Sequence, residues 1–154
     1  MEQENPLSRQ ENRRSAAFER VDEIVAKVKS LNLPEDSYVV FGSGPLVVAR
    51  IRAARDIDLL VSEELLERLR LDGWEEVYKE PGDTPLTHDV FEAHANWNFS
   101  PYSPTLAHLL STATRVEGVP FASLEEVRKW KAASGRPNDI EDIRLIDQHM
   151  RNST

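Results

Sequence analysis

Apolar residues recur at helical spacing at Phe18, Val21, Ile24, Val25 and Val28, which predicts a helix from Ser15 that Asn32 and Pro34 bring to an end. The period then changes. Residues 38–41 are an unbroken apolar run of strand length, and Pro45 suits the first turn of a short helix through Val47, Val48 and Ile51. A second strand is expected over 56–61. Ser62 follows as an N-cap, with Glu63 and Glu64 in the first turn of a helix that carries Leu65, Leu66 and Leu69 and stops at Asp72-Gly73. Strands over 74–78 and 86–95 flank the turn signal Glu80-Pro81-Gly82-Asp83 and predict a hairpin. A long loop with several aromatic residues over 96–104 leads to a helix over 105–111 and a short apolar segment over 116–121. Ser123 and Glu126 match a capping box that opens a helix through Val127, Trp130 and Lys131. Gly135-Arg136-Pro137 breaks it, and Ile140, Ile143, Ile146 and Met150 mark the last helix. The pattern predicts one α+β domain over residues 15–154, preceded by a flexible polar tail over 1–14.

Against that background Asp56-Ile57-Asp58 stands out. On a strand, alternation points both carboxylates to one face of an otherwise apolar element, where they repel each other and are costly to desolvate. A divalent cation relieves both problems, and Mg²⁺ prefers oxygen ligands of this kind. The Gly42-Ser43-Gly44 turn lies upstream, after an apolar strand, and offers free backbone N–H groups suited to a phosphate. Carboxylates for a metal beside a phosphate cradle point to phosphoryl or nucleotidyl transfer. A third carboxylate is expected from the strand over 86–95. Alternation puts Asp89 and Glu92 on opposite faces, so only one of them can join the site, and Asp89 is preferred. His88 and His94 share the Glu92 face, which leaves a His–Glu–His metal group as a lesser alternative.

Composition narrows the partners. The chain of 154 residues carries a formal net charge of −8, and such a surface repels a phosphodiester backbone, which argues against duplex DNA. A small nucleotide that arrives with its metal remains compatible. No apolar run reaches the length of a membrane span, the N-terminus lacks the pattern of a signal peptide, and no cysteine is present, so a cytoplasmic setting is expected.

Residues 38–146 resemble the DNA polymerase beta-like nucleotidyltransferase superfamily, particularly its small bacterial members. The matching pieces are the apolar strand ending in Gly42-Ser43, the Asp56-Ile57-Asp58 strand, an acidic residue on a later strand, and the order Lys131, Gly135-Arg136-Pro137, Asp139, Asp142 across the last two helices. The resemblance implies a mixed β-sheet with helices packed mainly on one face. It implies that Asp56, Asp58 and Asp89 hold one or two Mg²⁺ ions and catalyse transfer, and that Gly42, Ser43 and Lys131 contact the phosphates of a nucleoside triphosphate such as ATP. The product would be a nucleoside monophosphate joined to a hydroxyl of a small molecule, protein or RNA. Trp97 or Tyr102 would stack on a base or acceptor. Two departures point elsewhere. Pro45 removes a backbone donor at the phosphate turn, and no sizeable second domain is expected to hold an acceptor, so its recognition would come from the loops, a homodimer partner or another protein. These favour a non-catalytic nucleotide- or protein-binding member of the same fold, as in a toxin–antitoxin-type pair. A metal-dependent phosphohydrolase on the same acidic pair is the third reading.

Overall fold

Strand β1 (Tyr38–Phe41) is buried at all four positions, so it needs cover on both of its faces. That requirement shapes the whole molecule. The computed structural model describes residues 17–79 and 84–152; the expected tail at 1–14 and the turn signal at 80–83 lie outside them.

The described residues run as α1 (Val21–Lys29), β1, α2 (Gly44–Val48), β2 (Ile57–Val61), α3 (Glu63–Leu71), β3 (Glu75–Glu76), β4 (Leu86–His88), β5 (Phe91–His94), α4 (Leu106–Ser111), β6 (Thr114–Val116), β7 (Val119–Phe121), α5 (Leu124–Ser134) and α6 (Pro137–Asn152). The strands join in one mixed seven-stranded sheet of order β3-β4-β5-β2-β1-β7-β6. β2 lies at its centre, antiparallel to β1 and parallel to β5, and β1 runs parallel to β7. The fold is α+β, as its order of elements predicts.

Helices cover both faces of the sheet, not mainly one as expected. Tyr38 and Val40 of β1 and Ile57, Leu59 and Val61 of β2 pack with Ile24, Val25 and Val28 of α1 and Leu65 and Leu69 of α3. The alternate residues Val39, Phe41 and Leu60 pack with Leu109 of α4, Val127 and Trp130 of α5 and Ile146 of α6. A central strand apolar at every position makes the second layer necessary.

Three local expectations change as well. Phe18 does not belong to the first helix: it forms an isolated antiparallel bridge with Ala54, and α1 begins at Val21. The single strand expected over 86–95 is two strands, β4 and β5, folded back on each other about Asp89-Val90, where Asp89 has φ +53°. Aspartate is one of the few residues that enters this region readily. On α6, Ile140 is 61% exposed and the inward positions are Asp139, Asp142 and Ile146. The N-caps fall where expected: Ser62 Oγ accepts from Leu65 N at 3.1 Å, and Ser123 Oγ accepts from Glu126 N at 3.3 Å. Gly135, with φ +66°, closes α5 before Pro137 starts α6.

Candidate functional site

The two central parallel strands present their polar side chains at one end of the sheet. Register pairs Asp58 of β2 with Glu92 of β5 and Leu60 with His94, so Asp58, Glu92 and His94 emerge side by side on one face. His94 Nε2 lies 3.2 Å from Glu92 Oε1 and 3.9 Å from Asp58 Oδ1. One ligand atom from each of the three falls within 4.8 Å of the others. Aromatic side chains back the group: the His94 and Trp97 rings meet edge to face at 4.7 Å, and Trp97 contacts Phe41 at 4.9 Å and Trp130 at 5.1 Å.

A glycine makes room for Asp58. Gly42 follows β1 with φ +63°, and a Cβ there would stand 2.2 Å from Asp58 Oδ2. Both the backbone conformation and the space exclude a side chain. The Gly-Ser-Gly turn therefore does something that its sequence did not indicate, since it seats the carboxylate. Ser43 N-caps α2 without a side-chain cap bond, and its Oγ instead accepts from Arg52 Nη2 at 2.9 Å.

Electrostatics sets the two carboxylates apart. Burial, reinforced by the negative charges of Glu92 and Asp56, pushes the Asp58 carboxyl up to about 7. Glu92 is held down at about 2 by His94 and by Lys79, whose Nζ is 2.5 Å from Glu92 Oε1, against the opposing effect of partial burial. Asp58 is thus the group that a bound cation would relieve most.

These residues line a cleft of about 630 Å³ whose other wall is the α5–α6 pair. There Lys131 is buried, with Nζ 2.8 Å from Asp142 Oδ2 and 3.3 Å from Asp139 Oδ1, and 4.4 Å from the centre of the Trp130 ring. Arg136 donates to Asp139 from both its backbone N and its Nε. Arg52 donates twice to Asp142, at 2.9 Å each, so one guanidinium ties α6 to Ser43. Burial works to raise the Asp139 and Asp142 carboxyls, but Arg136 outweighs it at the first, and Arg52 and Lys131 at the second, leaving both below the usual range.

The expected site residues therefore divide. Asp56, Asp58, Ser43 and Lys131 all line the cleft. Gly42 supports it from beneath Asp58. Asp89 does not join: it sits in the β4–β5 turn, 2.7 Å from Lys27 Nζ of α1, and Glu92 occupies the position expected of it. The reason is the turn itself, which interrupts the alternation that put Asp89 on the Asp58 face. Asp56 lies outside the three-residue group, just before β2 begins. The imagined His88–Glu92–His94 group fails for the same reason as Asp89, because His88 stacks on Trp74 at 5.3 Å. Trp97 is buried core, while Tyr102 spends its hydroxyl on Glu126 Oε2 at 2.6 Å.

Arg52 and Lys79 were not foreseen. The cluster Arg50, Arg52 and Arg55, immediately before Asp56 in an acidic chain, was a signal for the first; nothing local marks the second. No family model, curated protein or solved structure matches this chain.

Proposed function

We propose that the cleft is the active site of a metal-dependent nucleotidyltransferase on a nucleotidyltransferase-like fold. It would take a nucleoside triphosphate and pass its nucleoside monophosphate to an acceptor hydroxyl. The observation that carries this reading is the convergence of Asp58 and Glu92 from adjacent parallel strands, over Gly42, in a cleft that basic side chains also line. Asp58 and Glu92 would hold the divalent ion, with Asp56 at the rim. A bound cation there would neutralise phosphate oxygens of the nucleotide and favour displacement at phosphorus.

The chain's own groups have separate tasks. Glu92 stays ionised across the whole neutral range and gives a fixed negative charge. Asp58, raised by burial to about 7, can take up a proton near neutrality. Arg52 and Arg136 present guanidinium groups at the cleft while anchored to Asp142 and Asp139, which orients them toward an anion without leaving those aspartates bare. Lys131 is a positioning residue: enclosed between two aspartates and a tryptophan, it holds α5 against α6 and does not reach out to phosphate.

A binding module without turnover is the second reading, and two observations favour it. The Ser43 hydroxyl is already engaged by Arg52, and Pro45 offers no N–H in the first turn of α2. The experiment is to titrate each nucleoside triphosphate with and without Mg²⁺ or Mn²⁺ while following pyrophosphate release, on the wild type and on Asp58→Asn, Glu92→Gln and Asp89→Asn. Metal-dependent binding lost in the first two variants and kept in the third supports the site. Pyrophosphate release then selects the enzyme, binding without it under any acceptor selects the module, and no binding to any triphosphate overturns both.

A further inference from the structure

Two carboxylates satisfy a hard ion, but the third member of this group is an imidazole. We propose that Asp58, Glu92 and His94 form a mixed carboxylate–imidazole centre that selects a borderline divalent ion, of the Mn²⁺, Co²⁺ or Zn²⁺ type, over Mg²⁺. This names the ion of the site proposed above, and rests on that reading for what the ion is used for, not for whether it binds.

The backbone supplies the arrangement. Glu92 and His94 are two residues apart on β5 and share a face, and Asp58 enters from the neighbouring strand opposite Glu92. Metal–ligand bonds of about 2.1 Å place neighbouring ligand atoms roughly 3.0–3.4 Å apart in octahedral or tetrahedral sites. The observed separations, 3.2 Å for His94–Glu92 and 3.9 Å for His94–Asp58, need only a small rotation of Asp58 to close around one ion. Preorganisation favours the imidazole in particular. Its side chain is 12% exposed and its ring packs edge-on against buried Trp97, so little freedom remains to be lost on binding.

Ligand chemistry then decides the metal. Mg²⁺ takes oxygen donors and keeps its own waters, whereas imidazole suits the later first-row ions, whose affinity for nitrogen rises along the series from Mn²⁺. Lys79 is the competitor already present: its ammonium rests on the Glu92 oxygen nearest His94. Because that side chain is 46% exposed on a long stem, a divalent ion displaces it at low cost.

The test uses the untagged full chain, titrated calorimetrically with MgCl₂, MnCl₂, CoCl₂ and ZnCl₂ separately, with tryptophan fluorescence followed alongside. One Co²⁺ or Zn²⁺ per chain should bind at least about tenfold more tightly than Mg²⁺, and Co²⁺ should quench the emission of Trp97 beside His94. His94→Gln should erase most of that preference while leaving weak Mg²⁺ binding nearly unchanged, and Glu92→Gln should weaken every ion. Equal affinity for Mg²⁺ and Co²⁺ in the wild type, or a preference that survives His94→Gln, overturns the proposal. Should His94→Gln not fold, Co²⁺ NMR of the wild type decides: a hyperfine-shifted ring N–H proton of a bound histidine that disappears in D₂O supports the centre, and a Co²⁺ complex without one refutes it. The two readings fail separately. A Mg²⁺-selective site that binds triphosphate sinks the choice of ion alone, and a Co²⁺ centre in a chain that binds no triphosphate sinks the transferase alone.

Discussion

Asp58 is where function and stability pull in opposite directions. Its carboxyl titrates near 3.8 in the unfolded chain and at about 7 in the folded one, so between these values the native state holds the proton more tightly. Without a cation, its contribution costs nothing below the lower value, grows as pH rises through the window, and is fully unfavourable above 7. The groups around it are Glu92, Asp56, His94 and Lys79. Glu92 has the opposite sign: its contribution is complete above its ordinary value of 4.5 and disappears only as pH falls through about 2. Asp58→Asn should therefore raise the melting temperature at about pH 8 in the presence of a chelator and leave it nearly unchanged at about pH 4. A divalent ion at about 100 times its Kd should stabilise the wild type by about 2.7 kcal/mol, and the variant by little. Thermal melts at the two pH values check both statements, and a variant less stable than wild type at the higher pH would contradict them. Gly42 belongs to the same balance. Gly42→Ala places a methyl 2.2 Å from an Asp58 oxygen at φ +63°, which costs about 1–2 kcal/mol in the backbone before the clash is counted. Chemical denaturation should show at least that loss, together with weaker metal binding as Asp58 is displaced.

Between elements, the α5–α6 pair is held by charge as much as by apolar contact. Helix α6 turns Asp139 and Asp142 inward to meet Lys131 and leaves Ile140 in solvent, so the polar residues set its rotation. Removing one partner of a buried pair strands the others, at a cost of about 3–5 kcal/mol. Lys131→Ala should lose stability on that scale in urea unfolding. Asp142→Ala should in addition free Arg52 and disturb Ser43, weakening nucleotide binding where a purely structural contact would not. Much of this was legible in the chain. Caps at Ser62 and Ser123, the break at Gly135-Arg136-Pro137 and the two apolar strands carry strong local signals, and the Lys131–Asp139–Asp142 spacing marked the right helices. The rest was not, for reasons of register and phase. A strand that reverses at Asp89-Val90 has no glycine or proline to announce it, yet the reversal exchanges Asp89 for Glu92 in the site and brings His94 in with it. Apolar periodicity likewise marked the last helix by Ile140, which lies in solvent, because it does not register that a buried lysine needs two aspartates more than the core needs one isoleucine.

At the scale of the whole molecule, two charge distributions act at different ranges. The net charge of −8 repels any polyanion from a distance, and this field weakens over a Debye length of about 8–10 Å at ordinary salt. Inside the cleft the balance is closer to neutral: Arg52, Lys79, Lys131 and Arg136 line it together with Asp56, Asp58, Glu92, Asp139 and Asp142. One divalent ion would reverse the sign of that balance and, under the proposed function, would make the cleft a site for an anion small enough to enter it. Under the proposed function the molecule would separate short phosphates from long ones by where their charge must sit, because a duplex would lie along the acidic exterior while a triphosphate would enter the cleft. Salt should then act here unlike on a conventional phosphate-binding surface. A conventional phosphate-binding surface loses affinity steeply as salt rises, in proportion to the counterions released. Here the screened term is repulsive, so triphosphate with its metal should associate no more slowly as salt rises from about 20 to 150 mM. Duplex DNA should not bind at either concentration. Stopped-flow association of a fluorescent triphosphate analogue across that range, with a gel-shift of duplex DNA in parallel, checks both halves. A rate that collapses with salt, or a duplex retained at low salt, would mean that a basic surface outweighs the acidic exterior.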